Sequence, residues 1–503
     1  LEILEYYGED PKVEVVAMYM EGVRDGREFM EIAARVGKKK PVLVMKVGRS
    51  ELGAKAALSH TGSLAGSDKV YESAFKQCGV IRLNTIEELT DGVKAVSVYP
   101  KVKGNRVCIL TEAGGPGIVC TDTICDLPGV ELAPVAEETR RKLTELLPPM
   151  AMICKPNGYI DMTAAVSPRQ QADSLRLVLS DPNVDMVVLI GLPPIFRNAL
   201  ELAKTVVPVV KEFNKPVAVC FMRGEPMAAA RTYFEENGVL TFDTPERAAS
   251  ALQTLGRASL RQARQLEKRQ LKETHPAIVR ALAEGRSLLE PEAVKLLEDN
   301  KVKVMPSRFV TTKEAAQAVA AEWKQPVALK IVSPQVIHKS DVGGVKVNLK
   351  NAEEVGAAYD AILANVAEKV PTADVRGMLV VPMAESGTEL IIGVVQDPQF
   401  GATVMFGLGG IFVEVFKDVS FRIAPFDRAT ALEMIQETKA WQILQGVRGE
   451  NPKDIDSLVE LLVKVSEMAV EYPNIREIDL NPVRVYEQGV KILDARVMLN
   501  NSK

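Results

Sequence analysis

Short valine-rich runs of apolar residues alternate along the first half of the chain with stretches whose apolar positions recur every three or four residues. The runs include Val13-Glu14-Val15-Val16-Ala17-Met18-Tyr19, Pro41-Val42-Leu43-Val44, Val184-Asp185-Met186-Val187-Val188-Leu189-Ile190 and Pro216-Val217-Ala218-Val219. Among the amphipathic stretches are Gly26 to Val36 and Ala199 to Phe213. Runs this unbroken leave no face for water, so they predict strands of a parallel sheet covered by helices on both sides.

The same runs form an internal repeat. Val13 to Tyr19, Pro41 to Val44, and Cys78-Gly79-Val80 leading to Thr85-Ile86-Glu87 are echoed in order by Val184 to Ile190, Pro216 to Val219, and Asn237-Gly238-Val239 leading to Thr244-Pro245-Glu246. Two doubly wound domains in succession are expected. Before its first match, copy two has the strand Arg106 to Thr111, the loop Glu112-Ala113-Gly114-Gly115-Pro116-Gly117 and a helix from about Ile118. Only about twelve residues precede Val13, so the chain is expected to start inside a domain, with the remainder truncated or supplied by a partner segment.

The copies also differ where chemistry would be placed. Between Arg49 and Cys78, copy one inserts Ser59-His60-Thr61-Gly62-Ser63-Leu64-Ala65-Gly66; copy two has a short connection without histidine. The insertion follows the strand Val42 to Val47, and functional loops in such sheets lie beyond the carboxyl ends of strands. His60 is one of three histidines. A second, His338, stands in His338-Lys339-Ser340-Asp341-Val342-Gly343-Gly344-Val345. Both segments combine a nitrogen nucleophile with hydroxyls and glycines that expose backbone N–H groups, the surroundings a phosphoryl group needs. The third, His275, precedes Pro276 and reads as a surface residue at a helix boundary.

Charge narrows the partners. The 62 basic residues are balanced by 66 acidic ones, so the chain has no footprint for nucleic acid. The six cysteines have no paired framework and read as buried thiols of a reducing compartment. The opening residues have no cationic leader and no apolar run reaches membrane-spanning length, so a soluble, cytoplasmic-type protein is expected, with no membrane partner. Arg257, Arg261, Arg264, Lys268, Arg269 and Lys272 line a stretch poor in large apolar residues, read as a solvated helical connector.

Beyond the connector, helices and strands alternate around phosphate-friendly loops. Val327-Ala328-Leu329-Lys330-Ile331 is a short strand carrying one lysine. Phe406 to Glu414 is rich in glycine, and Glu477-Ile478-Asp479-Leu480-Asn481-Pro482 is followed by Leu493-Asp494-Ala495-Arg496. Asp479 and Asn481, two apart, point to one face of a strand; together with a strand lysine they are parts of a magnesium-nucleotide site.

In this order the segments SHTGSLAG, AGGPG, KIVSPQVIHKSDVGG, FGLGGIFVE with SFRIAPF, and EIDLNPV closely resemble the nucleoside-diphosphate-forming acyl-CoA synthetases, the ADP-forming acetate–CoA ligase family related to succinyl-CoA synthetase. The likeness runs essentially the whole length, apart from the family's amino-terminal CoA-binding domain and the start of the domain that follows it. It implies two flavodoxin-like doubly wound parallel-sheet domains (1–99 and 104–256), a helical linker (257–285) and an ATP-grasp domain (286–503).

The resemblance implies the following roles. His60 is the phosphorylated carrier, Glu21 orients its ring and His338 is a second histidine that passes phosphate on. A carboxylate on one ring nitrogen fixes the tautomer and makes the other a better nucleophile. Ser59, Gly114, Gly115 and Gly117 hold phosphate. Lys330, Lys339, Ser340, Gly343, Gly344, Val381, Met383 and Glu389 bind nucleotide. Asn481 and Asp494 are magnesium ligands, supported by Asp479 and Glu414. Mg2+ is the expected cofactor; ATP or ADP, CoA, phosphate and a small carboxylic acid are the substrates; and assembly as a homo-oligomer or with a partner segment bearing the CoA-binding domain is expected. An alternative is a non-catalytic ligand-sensing scaffold related to protein acyltransferases, in which the carrier histidine is replaced. An ATP-grasp carboxylate–amine ligase would leave the repeat and His60 unexplained.

Overall fold

The computed structural model describes residues 1–500 except 51, 54, 56–66, 193–197, 223, 262–263, 265–266, 268, 410–417 and 448. The chain forms two compact units, one of residues 1–24, 28–68 and 75–265, the other of 25–27, 69–74 and 266–503.

The first unit contains both copies of the repeat. Strands β1 (Val16–Met20), β2 (Val42–Lys46) and β3 (Ile81–Leu83) form a parallel sheet in that order. The second sheet is built from β4 (Arg106–Thr111), β5 (Glu131–Leu132), β6 (Met152–Ile153), β7 (Tyr159–Asp161), β8 (Met186–Gly191), β9 (Val217–Phe221) and β10 (Leu240–Phe242). Its order is β10-β9-β8-β4-β7-β6, with β5 beside β4, and β6 is its antiparallel strand. Val16 pairs with Val42 and Val187 with Val217, the correspondence the repeat requires.

Alternation along β4 explains the apolar runs. Val107 and Ile109 join the core on one face, packed with the helices Gly114–Asp126 and Pro245–Leu260; Cys108 and Leu110 join the core on the other, packed with Pro168–Ser180 and Ala199–Glu212. The helices closing the two copies, Ile86–Val98 and Pro245–Leu260, lie against each other, with Gly92 facing Thr254 and the buried Asp91 held by both arms of the Arg247 guanidinium at 2.8 Å.

In the second unit, β11 (Arg308–Val310), β12 (Val327–Val332), β13 (Val345–Leu349) and β14 (Gly377–Pro382) make an antiparallel sheet ordered β11-β14-β12-β13. The larger antiparallel sheet contains β15 (Thr388–Asp397), β16 (Gly401–Leu408), β17 (Val419–Ile423), β18 (Ile475–Val485), β19 (Val490–Ile492) and β20 (Ala495–Leu499), ordered β17-β16-β15-β18-β19 with β20 also on β18. The helices Lys313–Trp323 and Ala352–Lys369 cover the small sheet; Arg428–Gln436 and Ile455–Glu471 cover the large one.

Four expectations change. The helix after β4 starts at Gly114 rather than near Ile118, because Thr111 Oγ1 accepts from Ala113 N and turns the chain at once. The basic connector is not a continuous helix: Arg257 lies in the last turn of the helix Pro245–Leu260, and the described residues of 261–275 carry no helix. There Arg269 pairs with Glu467 and Lys272 with Glu471, so these side chains reach across to a neighbouring helix instead of supporting one of their own. His275 does stand at a helix boundary, but its side chain is only 12% exposed, since Nδ1 accepts from Ala277 N and Nε2 meets Asp299. Of the cysteines, Cys78, Cys108, Cys120 and Cys220 are buried free thiols, Cys154 is half-buried and Cys125 is exposed.

Candidate active site

A cleft of about 1350 Å³ in the second unit collects most of the residues assigned to nucleotide and metal. Lys330, His338, Lys339, Ser340, Val381, Met383, Asp479, Asn481 and Asp494 all line it. The strands explain the convergence. Lys330 lies on β12, paired with Leu379 of β14, so that Val381 and Met383 continue along the same wall. On β18, Ile478 and Leu480 point into the core while Asp479 and Asn481 point away, and the partner β20 sets Asp479 opposite Arg496. Asn481 N donates to Asp494 O at 3.3 Å, which brings the two proposed metal ligands side by side.

Four charges form the centre of this cleft. Lys330 Nζ donates to Glu290 Oε1 at 2.7 Å, to Leu493 O at 2.8 Å and to Asp494 Oδ1 at 3.0 Å. Lys339 Nζ donates to Glu290 Oε2 at 2.6 Å and lies 3.6 Å from Asp494 Oδ1. Burial alone would raise the Asp494 carboxyl, but the Lys330 and Lys339 ammoniums outweigh it and hold it at about 2. Burial likewise opposes charge on Lys330, and Glu290 and Asp494 overcome it, raising its affinity for the proton. Asp479 is pushed up by burial, with Arg496 and His338 pulling the other way.

Other assigned residues fall elsewhere. Gly343 and Gly344 turn the His338 loop: Gly343 N donates to Ser340 O, Gly344 N to Lys339 O, and a Cβ on Gly344 would meet Ile331 at 2.6 Å. They shape the loop and are not among the residues lining the cleft. Glu389 lines a second hollow and accepts from Arg484 Nη2 at 2.7 Å; that arginine itself lines the main cleft. Ser59, His60 and Glu414 lie outside the described residues.

In the first unit, Glu21 directly follows β1, beside the end of β2, where Met20 pairs with Lys46. Burial lowers the Lys46 ammonium, and Asp68 and Glu21 act to restore it. Gly114 and Gly115 open their helix after Ala113, which has no side-chain oxygen to cap the first-turn N–H groups, and no acid stands in that turn. A Cβ on Gly117 would come within 2.8 Å of Thr111 and Tyr159, so this glycine permits close helix–strand packing.

The residue that sequence reasoning missed is Glu290. It sits in Leu289-Glu290-Pro291-Glu292 at the start of the helix Glu290–Asp299, where an acid is ordinary, and nothing in its spacing ties it to lysines 40 and 49 positions later.

Comparison with known proteins covers both units. Residues 1–96 match the model of a succinyl-CoA ligase like flavodoxin domain, 107–267 a ligase-CoA domain and 280–499 an ATP-grasp domain. The acetate–CoA ligase [ADP-forming] I of Archaeoglobus fulgidus is 42% identical over 504 residues, covering 99% of this chain and 72% of that protein. The 4-hydroxybutyrate–CoA ligase [ADP-forming] of Nitrosopumilus maritimus is 36% identical over 513 residues, with the same coverage. Subunit beta of the acetate–CoA ligase [ADP-forming] I of Pyrococcus furiosus is 49% identical over 222 residues, 44% of this chain and 96% of that subunit. Among the described residues no helix is long and apolar enough to cross a membrane. With two flavodoxin-like sheets, an ATP-grasp unit whose cleft gathers lysines and carboxylates, and this identity along its whole length, the chain belongs to the ADP-forming acetate–CoA ligase family.

Proposed function

We propose that the chain is the ligase core of an ADP-forming acyl-CoA synthetase, interconverting acyl-CoA, ADP and phosphate with a small carboxylic acid, CoA and ATP. The observation that carries this reading is the convergence of Lys330, Lys339, His338, Asp479, Asn481 and Asp494 on one cleft. In the ATP-forming direction, phosphate displaces CoA from the acyl group, giving acyl phosphate. A ring nitrogen of His60 attacks its phosphorus and the carboxylate leaves; ADP then takes the phosphoryl group, with His338 as the second carrier. Covalent storage keeps the phosphoryl group from water between steps. Glu21 orients the His60 ring, and Ser59 with the N–H groups of Gly114 and Gly115 holds the phosphoryl oxygens, whereas Gly117 N donates to Ala113 O and that glycine gives packing room instead. The relatives' match over 99% of the chain supports the ligase over a sensing scaffold.

Lys330 and Lys339, with Ser340, face the nucleotide phosphates, and Val381 and Met383 flank the base. Among the described residues, no group of three or more His, Cys, Asp or Glu could hold a metal unaided. That suits magnesium, which takes one or two carboxylates and completes its shell with water and substrate phosphates. Asp494 and Asn481 offer the hard oxygens, supported by Asp479 and Glu414, and the ammoniums already at Asp494 mark a place that accommodates positive charge. When bound, Mg2+ neutralises phosphate charge during transfer. The partner is a second copy or a segment bearing the CoA-binding domain.

Labelled ATP with magnesium, followed by mapping of acid-labile, alkali-stable phosphate, tests the reading. Label on His60, lost together with overall turnover in His60→Ala, is the expected result. Turnover retained in that variant would refute the carrier role.

A further inference from the structure

We infer that Glu290 is the positioning residue of the nucleotide site, holding Lys330 and Lys339 where they meet phosphate. The inference rests on the proposed nucleotide reading of the cleft. Glu290 stands in the wall of the cleft at 8% exposure, and both of its oxygens are taken up by lysines, Oε1 by Lys330 and Oε2 by Lys339. Its own place is fixed by the helix it starts: the neighbouring Glu292 accepts from Leu289 N at 2.9 Å and pairs with Arg286, pinning that helix end.

Lys330 has three protons and all three are donated, to Glu290, Leu493 O and Asp494. A phosphate oxygen can join Lys330 only if one acceptor withdraws. Leu493 O belongs to the backbone and Glu290 is buried, whereas Asp494 is the proposed metal ligand. Withdrawal of Asp494 toward a cation therefore releases one proton of Lys330 toward phosphate, and it leaves Lys339 with Glu290 alone. Without Glu290, both ammoniums would collapse onto Asp494 and compete with the cation for it. Two like charges this close also need an anion between them to stay in place.

Glu290→Gln keeps the shape but offers one oxygen to two ammoniums and turns an NH2 toward the other, so one lysine loses its anchor. The test is ADP binding to the full chain by calorimetry in EDTA, then with Mg2+, in a cycle with Lys330→Ala/Lys339→Ala. Loss of one charge-assisted contact corresponds to ADP binding at least about tenfold weaker in Glu290→Gln. In the background lacking both lysines, the same exchange should change affinity by less than about twofold, because no anchored group remains. A role confined to folding would give equal losses in both backgrounds and would overturn the inference, as would unchanged affinity in Glu290→Gln while the lysine variant binds weakly. Failure of the wild-type chain to bind ADP would instead sink the nucleotide reading, and the inference with it. Should Glu290→Gln not fold, Glu290→Asp, which keeps the charge on a shorter arm, carries the same cycle.

Discussion

Two copies of one pattern, folded in one unit, differ in the burial of their first strand and in what stands at their strand tips. In both, three parallel strands follow in the same order, β1-β2-β3 and β8-β9-β10. The second and third strands are fully buried in each copy, but β8 is buried along its whole length whereas Ala17 and Tyr19 of β1 are exposed. The cause is the neighbour. β8 pairs with β4 on its far side, and β1 pairs with β2 alone among the described residues. At the carboxyl ends the difference is chemical. Extending the register Val16–Val42 and Val187–Val217, copy one places Glu21 and Lys46 where copy two has Leu192 and Phe221. Burial of a strand is thus decided by what lies beside it, and the charge at its carboxyl end by one residue on each of two neighbouring strands.

Position Ile190 in copy two corresponds to Tyr19 in copy one, and it gives the largest stability effect. Ile190 is 0% exposed in the core beneath the helices Gly114–Asp126 and Pro245–Leu260, so Ile190→Ala should cost about 2–5 kcal/mol through lost transfer energy and the cavity left behind. Amide hydrogen exchange in β8 and β9 is the suitable readout, because both tryptophans, Trp323 and Trp441, lie in the other unit and their fluorescence would report on that one. Protection unchanged from wild type would break the claim that the buried packing of β8 holds copy two together.

This much of the fold was legible because a buried parallel strand leaves a distinctive run, and repetition of such runs at matched spacing is enough to align Val16 with Val187. The glycine-rich loop before the helix Gly114–Asp126 was legible as a strand-to-helix turn, but the helix start was misjudged, since the turn is set by the Thr111 hydroxyl rather than by apolar periodicity. The cleft was legible in part. Lys330, Asp479, Asn481 and Asp494 announce themselves by type and order, and they converge. Glu290 does not, because its role depends on a contact between residues 40 positions apart, whereas its local context is that of any acid at a helix start. For the same reason Glu389 could be named but not placed: its partner Arg484 lies 95 residues away.

A smaller effect is expected at the strand entrance, where Asp185 of copy two corresponds to Glu14 of copy one. Asp185 accepts from Arg106 Nε at 2.8 Å, from Nη2 at 2.9 Å and from the Arg106 backbone N at 3.0 Å, fastening β8 to β4; Glu14 is exposed. Burial would raise the Asp185 carboxyl, but the hydrogen bonds from Arg106 hold it below its usual 3.8. A depressed folded value means that the ionised pair stabilises the fold above about pH 4 and that this contribution fades as the pH falls through the lowered value. Asp185→Asn should therefore cost about 1–3 kcal/mol near neutrality, with the gap to wild type closing in acid, while Glu14→Gln, at an exposed position, should shift stability by no more than about 0.5 kcal/mol. Equal costs for the two variants, or a gap independent of pH, would contradict the asymmetry.

The smallest effect is expected at Tyr19. Tyr19 is 61% exposed, so in the chain as it stands its ring removes little apolar surface from water, and Tyr19→Ala should shift stability by no more than about 0.5 kcal/mol. The backbone pairing of Tyr19 with Met45 is untouched by the exchange, so β1 should keep its amide protection against β2. Comparison with Ile190→Ala by the same exchange measurement then isolates one variable, the presence of a neighbouring strand, at matched positions of one repeat. A cost for Tyr19→Ala approaching that of Ile190→Ala would mean that the outer face of β1 is covered in solution. Titrating the protein concentration would then identify the cover: a cost that vanishes on dilution belongs to another copy of the chain, because contacts between copies are lost by mass action whereas contacts within one chain are not.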